Sequence, residues 1–155
     1  MSTADIPAVG KIHSEVLDET YISYGELHLG LASTPTVVSA DAPRIFHDEL
    51  HNSLNNESVS CFVAESNGQI IGFAISALRN AIGDSSECWL EDIGVDPNFR
   101  EEGVGEKLAK AVFNWAQEKH ATYVLAEINV KNKLAQKGAM KMGFNPFCTI
   151  FLKSV

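Results

Sequence analysis

The sequence is short of the features that mark several common protein classes. It has three cysteines in 155 residues. Cys61, Cys88 and Cys148 are odd in number, far apart, and each set in an apolar, strand-like run. That pattern argues against a disulfide framework or a metal knot and predicts reduced, buried thiols in a cytoplasmic protein. No apolar run approaches the roughly 18 residues of a membrane span, and no basic segment leads into an apolar one at the N-terminus, so a soluble, unexported chain is expected. Positive charge is also scarce. Twelve Lys and Arg stand against twenty Asp and Glu, for a net charge of −8. This weighs against a nucleic-acid backbone or an anionic membrane as partner and favours cationic ligands such as amines. Internal repeats and low-complexity segments are missing too.

What is present is enough apolar material, 45 % of residues, for one domain spanning 1–155 with a real core. Asp5 and Pro7 predict the start of a helix whose Ile6, Val9, His13, Val16 and Leu17 share a face. Residues 18–40 have no clean period and read as a short helix and a loop. Asp41 opens a helix with Ala42, Phe46, Leu50 and Leu54 at four-residue spacing. From Val59 the period becomes two, and Asn67-Gly68 between two apolar runs predicts a hairpin. "ECWLEDIGV" is a third strand. A helix follows with Val104, Leu108, Ala111, Val112 and Trp115 facing inward. "TYVLAEINV" is a further strand, with Tyr123, Leu125, Glu127 and Asn129 on one side and Val124, Ala126, Ile128 and Val130 on the other. Asn132 opens a short helix that Gly143 ends, and "FCTIFLKSV" is expected to close the chain as a strand. The element order is that of an α+β, or mixed α/β, domain.

The most informative stretch is "FREEGVGEKL", residues 99–108. A strand, a turn containing Gly103 and Gly105, and a helix put unpaired backbone N–H groups at the positive end of a helix dipole, where an anion is favoured. Glycine has no Cβ, so a phosphate can approach those amides directly. The nicotinamide-type fingerprint fails because Leu108 occupies its third glycine position. The Walker pattern fails because Glu106 follows Gly105.

The run Arg100-Glu101-Glu102-Gly103-Val104-Gly105 resembles the acetyl-CoA signature Q/R-x-x-G-x-G/A of the GNAT N-acetyltransferase family. "IGVDPNFR" resembles that family's approach strand, and "NKLAQKGAMKMGF" its closing element, with Asn132, Ala135, Lys141, Gly143 and Phe144 in register. "TADIPAVGKI" resembles its first helix, while the strand that usually precedes that helix is absent or very short. The resemblance implies a splayed mixed sheet flanked by helices, with pantetheine lying in the splay. It implies backbone amides around Ile93 and Val95 pairing with pantetheine, and amides of Arg100, Glu101, Glu102, Gly103, Val104 and Gly105 holding the pyrophosphate. Asn132 would reach the same ligand. Acetyl-CoA is then a cosubstrate, no metal is implied, and homodimers are common among such proteins.

Besides that strand, the chain departs from the family pattern at two places. Ala139 stands where a tyrosine commonly protonates the departing thiolate. Glu101 and Glu102 suit the helix dipole but repel pyrophosphate.

Acetyl transfer to a primary amine of a small molecule, a peptide or a protein needs a polarised thioester carbonyl and an acceptor for the amine proton. The Val95 amide can polarise the carbonyl. Glu127, on the less apolar face of its strand, is the first candidate base, and Glu91, sharing the approach strand and a face with Ile93 and Val95, is the second. An alternative is an acyl-CoA-binding domain with little catalysis, a sensor or interaction module, to which Ala139 and the two glutamates point. A domain whose glycine turn binds no ligand is the third reading. "HDELH" has the i, i+4 histidines of a zinc-binding helix in His47 and His51, but Asp48 replaces the glutamate, no third ligand is evident, and the pair flanks an apolar stripe. Trp89, Tyr21 and Tyr24 belong either to the core or to the acceptor pocket.

Overall fold

The computed structural model describes residues 1–80 and 86–153. A 3-10 turn, Thr3–Asp5, leads into α1, Ile6–Val16. Proline in the first turn of α1 sets φ where no N–H is needed. Asp5, expected as the side-chain cap of α1, instead turns back: its Oδ2 accepts from the Ser2 amide at 2.7 Å and the Ser2 hydroxyl at 3.0 Å. The irregular stretch holds a helix, α2 (Tyr24–Leu29), as expected. It also holds a small hairpin the sequence did not disclose, β1 (Ala32–Thr34) with β2 (Val37–Val38). α3 spans Ala42–Leu54, and Ala42, Phe46 and Leu50 are buried.

β3 (Val59–Ser66) and β4 (Gln69–Asn80) form the expected hairpin. Asn67 and Gly68 both have positive φ, 51° and 77°, as a two-residue turn matched to strand twist requires. β5 (Ser86–Val95) pairs antiparallel with β4, and β6 (Tyr123–Ala126) pairs parallel with β5, giving the order β3-β4-β5-β6. Among the described residues no strand precedes α1. α4 (Val104–Glu118) provides the β5–α4–β6 crossover, and α5 (Lys133–Lys141) follows. The mixed α+β architecture with a splayed sheet is as expected.

Two apolar layers sandwich the sheet. On one face Ile6, Val9 and Ile12 of α1, with Phe46 and Leu50 of α3, pack on Phe73 and Ile75 of β4. On the other, Leu108, Val112 and Ala116 of α4 pack on Ala74, Cys88 and Leu90. In α4 the fully buried stripe is Val104, Leu108, Ala109, Val112 and Ala116. The expected Ala111 and Trp115 lie at its margin, half-buried.

Three expectations about the C-terminal third fail, for related reasons. β6 stops at Ala126 rather than continuing to Val130, because its pairing with β5 ends at Leu90↔Ala126. Residues 145–153 form no strand. A strand persists only where a neighbour offers a ladder of N–H and C=O groups, and no described strand runs beside them. Phe147 and Phe151 are accordingly 92 % and 93 % exposed. Cys148 is therefore exposed rather than buried, whereas Cys88 is buried and Cys61 intermediate, all as free thiols. The last two residues of the expected closing strand, Ser154 and Val155, lie outside the described residues.

Candidate active site

The site is built around an unpaired strand edge. In an antiparallel ladder, directly opposed pairs alternate between hydrogen-bonded and non-hydrogen-bonded. The Asp96 amide donates to the Ile71 carbonyl at 2.9 Å, and the register continues as Gly72↔Val95, Phe73↔Gly94 and Ala74↔Ile93. Alternation then points the amides of Gly94 and Asp96 at β4, and those of Ile93 and Val95 away from it. On that outer side β6 has already ended. Glu91 to Val95 thus present a bare edge beside the segment after Ala126, a splay that begins where the last parallel pair closes.

The edge runs into the glycine turn. Asp96 holds the turn through its Oδ1, which accepts from the Asn98 amide and side chain, each at 2.9 Å. Glu101 and Gly103 are left-handed, φ 67° and 76°. A left-handed glutamate costs of order 1 kcal/mol, a strain that concentrates at functional turns. Gly103 caps α4 without a side chain, and a Cβ placed there would meet nothing within 4 Å. The space above the cap is open, which leaves room for a group to approach the first-turn amides of α4.

A roof over the splay comes from the segment between α1 and α2. The Tyr24 amide, at the start of α2, donates to Glu127 Oε1 at 2.6 Å, and the Asn129 side chain donates to the Ile22 carbonyl. Tyr21 reaches β5 itself: its hydroxyl bonds Asp92 Oδ1 and lies 3.2 Å from the Ile93 carbonyl. Behind it, His13 Nε2 lies 3.6 Å from Asp92 Oδ2 and makes no hydrogen bond. The His13 ring stacks on Phe46, centroids 3.6 Å apart and 7° from coplanar. Burial raises the Asp92 carboxyl to about 7, although the Tyr21 bond opposes the rise, and burial lowers His13 to about 4. Tyr21 is pushed well above the usual phenol range by burial and by the neighbouring Asp92.

Asp92 and its partners were not visible in the sequence because a β-bulge intervenes. Ile75 pairs with Asp92 and Ser76 with Leu90, leaving Glu91 as the extra residue. The bulge resets the alternation. Leu90 packs toward α4, yet Asp92, two residues later, faces α1. Glu91 consequently does not share a face with Ile93 and Val95, which pack with the α4 layer. It is exposed and paired with Arg79 at 2.9 Å. That Arg79 guanidinium lies over the Trp89 ring, 4.7 Å from its centroid, so Trp89 belongs to a half-buried surface stack. Glu127 is at the splay, beneath α2. Asn132 caps α5, its Oδ1 accepting from the Ala135 amide at 3.0 Å. His47 and His51 are exposed neighbours, and among the described residues no cluster with metal-binding geometry occurs. Two cavities, one between α4 and α5 and one beside α1, include neither Tyr21, Asp92, Glu127 nor Gly103. An open strand edge, unlike an enclosed pocket, is recognised by its free backbone groups.

The chain is 32 % identical over 95 residues to the aminoglycoside N(6')-acetyltransferase type 1 of Salmonella typhimurium, a match covering 59 % of this chain and 66 % of that protein, just short of two thirds. Among solved structures it is similar to the aminoglycoside antibiotic 6'-N-acetyltransferase of Acinetobacter haemolyticus, with TM-score 0.76, 18 % identity, and coverage of 100 % of this chain and 94 % of the other. It is also similar to AAC(6')-Iy, solved with the bisubstrate analogue CoA-S-monomethyl-acetylneamine, with TM-score 0.73, 22 % identity and coverage of 100 % and 95 %. Such identities establish the shared fold. The family model "Acetyltransferase (GNAT) family" matches residues 27–144, and the chain therefore belongs to the GNAT acetyltransferase family.

Proposed function

We propose that this protein transfers an acetyl group from acetyl-CoA to a primary amine of a small cationic acceptor. The observation that carries the reading is the unpaired edge of β5 running straight into the left-handed glycine cap of α4. An edge of free amides suits the amide-bearing pantetheine arm, which would lie along Ile93 and Val95 as an added strand does. The dipole end and open amides at Gly103, Val104 and Gly105 suit the pyrophosphate, with Arg100 supplying positive charge and Glu101 and Glu102 weakening the hold. Asn132, engaged in capping α5, would contribute through its remaining side-chain amide donors.

In the chemical step the Val95 amide would polarise the thioester carbonyl from a fixed position, at no cost of reorganisation. Glu127 would accept the amine proton. Its Oε1 is held by the Tyr24 amide, and a carboxylate retains further lone pairs to meet an ammonium. Glu127→Gln keeps that backbone bond but removes the base. Turnover should fall about 100-fold, within the usual range for general-base loss, with CoA affinity unchanged. Equal turnover across the pH range would remove Glu127 from the reaction.

The acceptor class rests on two supports. Net charge is −8, and the Glu127 carboxylate lies at the splay, held by the Tyr24 amide. The relatives named above act on aminoglycosides, so 6'-amino sugars are the first acceptors to assay, beside polyamines and short peptides. Thiol release with this panel, alongside calorimetric CoA binding, decides between transferase and binding module. Turnover is the expected result. Binding without turnover on any amine would instead favour a CoA-binding module, and neither would end both readings.

A smaller test concerns the turn. Gly103→Ala has room for its methyl, but that methyl would stand over the amides and force a left-handed alanine. A Kd for CoA raised roughly tenfold is expected, with a stability loss of about 1 kcal/mol. An unchanged Kd would mean that the α4 amides do not hold the pyrophosphate.

A further inference from the structure

The donors and acceptors around Asp92 do not balance while its carboxyl is ionised. Tyr21 has one hydroxyl hydrogen and two acceptors, Asp92 Oδ1 and the Ile93 carbonyl. With Asp92 ionised, one of those acceptors goes without. With a proton on Asp92 the chain closes: the carboxyl donates to the Tyr21 oxygen, and the Tyr21 hydroxyl donates to the Ile93 carbonyl. The side chain of Asp92 is only 9 % exposed. Tyr21 lies between it and the open edge of β5, and His13 lies behind it. The Ile93 carbonyl that Tyr21 touches is on the same side of the strand as the Val95 amide, and the two residues are about 7 Å apart along the strand. A proton leaving Asp92 by this chain therefore emerges on the same strand edge as the proposed reacting carbonyl.

We propose that Tyr21 is the proton donor to the departing CoA sulfur, with Asp92 as the buried acid that reprotonates it. The proposal rests on the transferase reading. It gives the chain a donor from the α1–α2 segment, where Ala139 on α5 has none to offer. As the amine nitrogen bonds the carbonyl carbon and the C–S bond breaks, sulfur takes the electron pair and receives the Tyr21 hydroxyl proton. The Tyr21 oxygen receives the Asp92 proton in the same step, and the amine proton leaves through Glu127. Solvent then restores the proton on Asp92 as Glu127 gives the amine proton up, so a neutral amine is acetylated with no net proton release, and the thiol keeps the proton it was given. Although Tyr21 alone is a poor acid, the net donor in the coupled transfer is Asp92, a stronger acid than a free thiol near 8.5. The groups that face Asp92 are His13 from α1, Tyr21 from the connecting segment, Glu26 from α2 and Glu91 from its own strand.

Two near-isosteric variants test this. Asp92→Asn can still donate an N–H to the Tyr21 oxygen, so the hydrogen-bonded chain survives without a transferable proton. Tyr21→Phe removes the exit. Each should lower kcat roughly 100-fold while leaving the calorimetric Kd for CoA within about twofold. The wild-type kcat should decline on the alkaline side with a midpoint near 7, and both variants should lose that limb. A merely structural role would change kcat without removing the limb, and that result overturns the relay, as would wild-type rates in either variant. If wild-type protein binds no CoA, the transferase reading falls and takes the relay with it. Binding and turnover that persist with an unaltered pH profile in the variants sink the relay alone.

Discussion

Gly94→Ala is expected to destabilise the protein by about 3 kcal/mol or more, the upper end of what one added methyl does in a packed core. Gly94 lies directly across the ladder from Phe73. A Cβ there would stand 2.4 Å from Phe73 Cε1, 2.9 Å from Cζ and 3.3 Å from Cδ1. Such contacts are impossible, so the ring or the strand must move. The ring has nowhere to go. Phe73 is fully buried, and its centroid lies 5.8 Å from that of Phe46 and 6.3 Å from that of His13. Phe73 here covers a glycine opposite it, as aromatic residues do in sheets where a strand must pass close. If β5 yields instead, Ile93 and Val95 shift and the proposed pantetheine edge is displaced. The variant should therefore lose CoA affinity along with stability. Urea denaturation and calorimetry measure both, and the double variant Gly94→Ala with Phe73→Leu should recover part of the stability. Strict additivity of the two substitutions would show that the methyl and the ring do not compete for space.

The features legible in the sequence were those set by local chemistry. Helix periods of α1 and α3, the Asn67-Gly68 turn, the cap at Asn132 and the glycine turn before α4 each depend on residues adjacent in the chain, and each stands where expected. What stayed hidden depends on pairing between distant strands. Period-two reading placed Glu91 with Ile93 and Val95, and the bulge opposite Ile75 and Ser76 undid that. The same bulge turns Asp92 toward His13 and Tyr21, residues 79 and 71 positions earlier, whose meeting no local pattern encodes. β6 was read too long because its alternation continues past the point where its neighbour departs. The final apolar run reads as a strand by composition, yet alternation describes a face and supplies no partner. Tyr21 itself sits in the stretch with no period at all. One signal was available: an aspartate in the middle of an otherwise apolar strand is costly to bury alone, which implies a polar partner elsewhere in the chain.

The burial of Asp92 and His13 together also governs how stability responds to pH. Between about pH 4 and 6.5 the folded protein keeps Asp92 protonated and His13 neutral, holding one proton on the pair. The unfolded chain, with ordinary values of 3.8 and 6.5, has Asp92 ionised and His13 charged, and also holds one. Equal proton counts mean that the pair contributes no slope in this window. Taken singly the two oppose each other. The raised Asp92 favours folding at low pH and loses that contribution as pH rises from about 4 to about 7. The lowered His13 favours folding at higher pH and loses its contribution as pH falls from 6.5 to about 4. Asp92→Asn removes the first effect and bares the second. Its stability relative to wild type should then fall by about 1.4 kcal/mol per pH unit on acidification, or roughly 3 kcal/mol between about pH 6.5 and 4.5. His13→Gln should show the opposite sign, losing stability relative to wild type as pH rises across the same interval. Other titrating groups cancel in each comparison because they are common to both proteins. Urea midpoints at two pH values suffice, and midpoints that move in parallel in all three proteins would mean that neither group is held away from water. Above about pH 7 the wild type must carry a buried charge that Asp92→Asn lacks, so the variant should be the more stable there. A site that keeps an ionisable acid under that burden, when asparagine would preserve the hydrogen bonds, is retaining a proton it can give up.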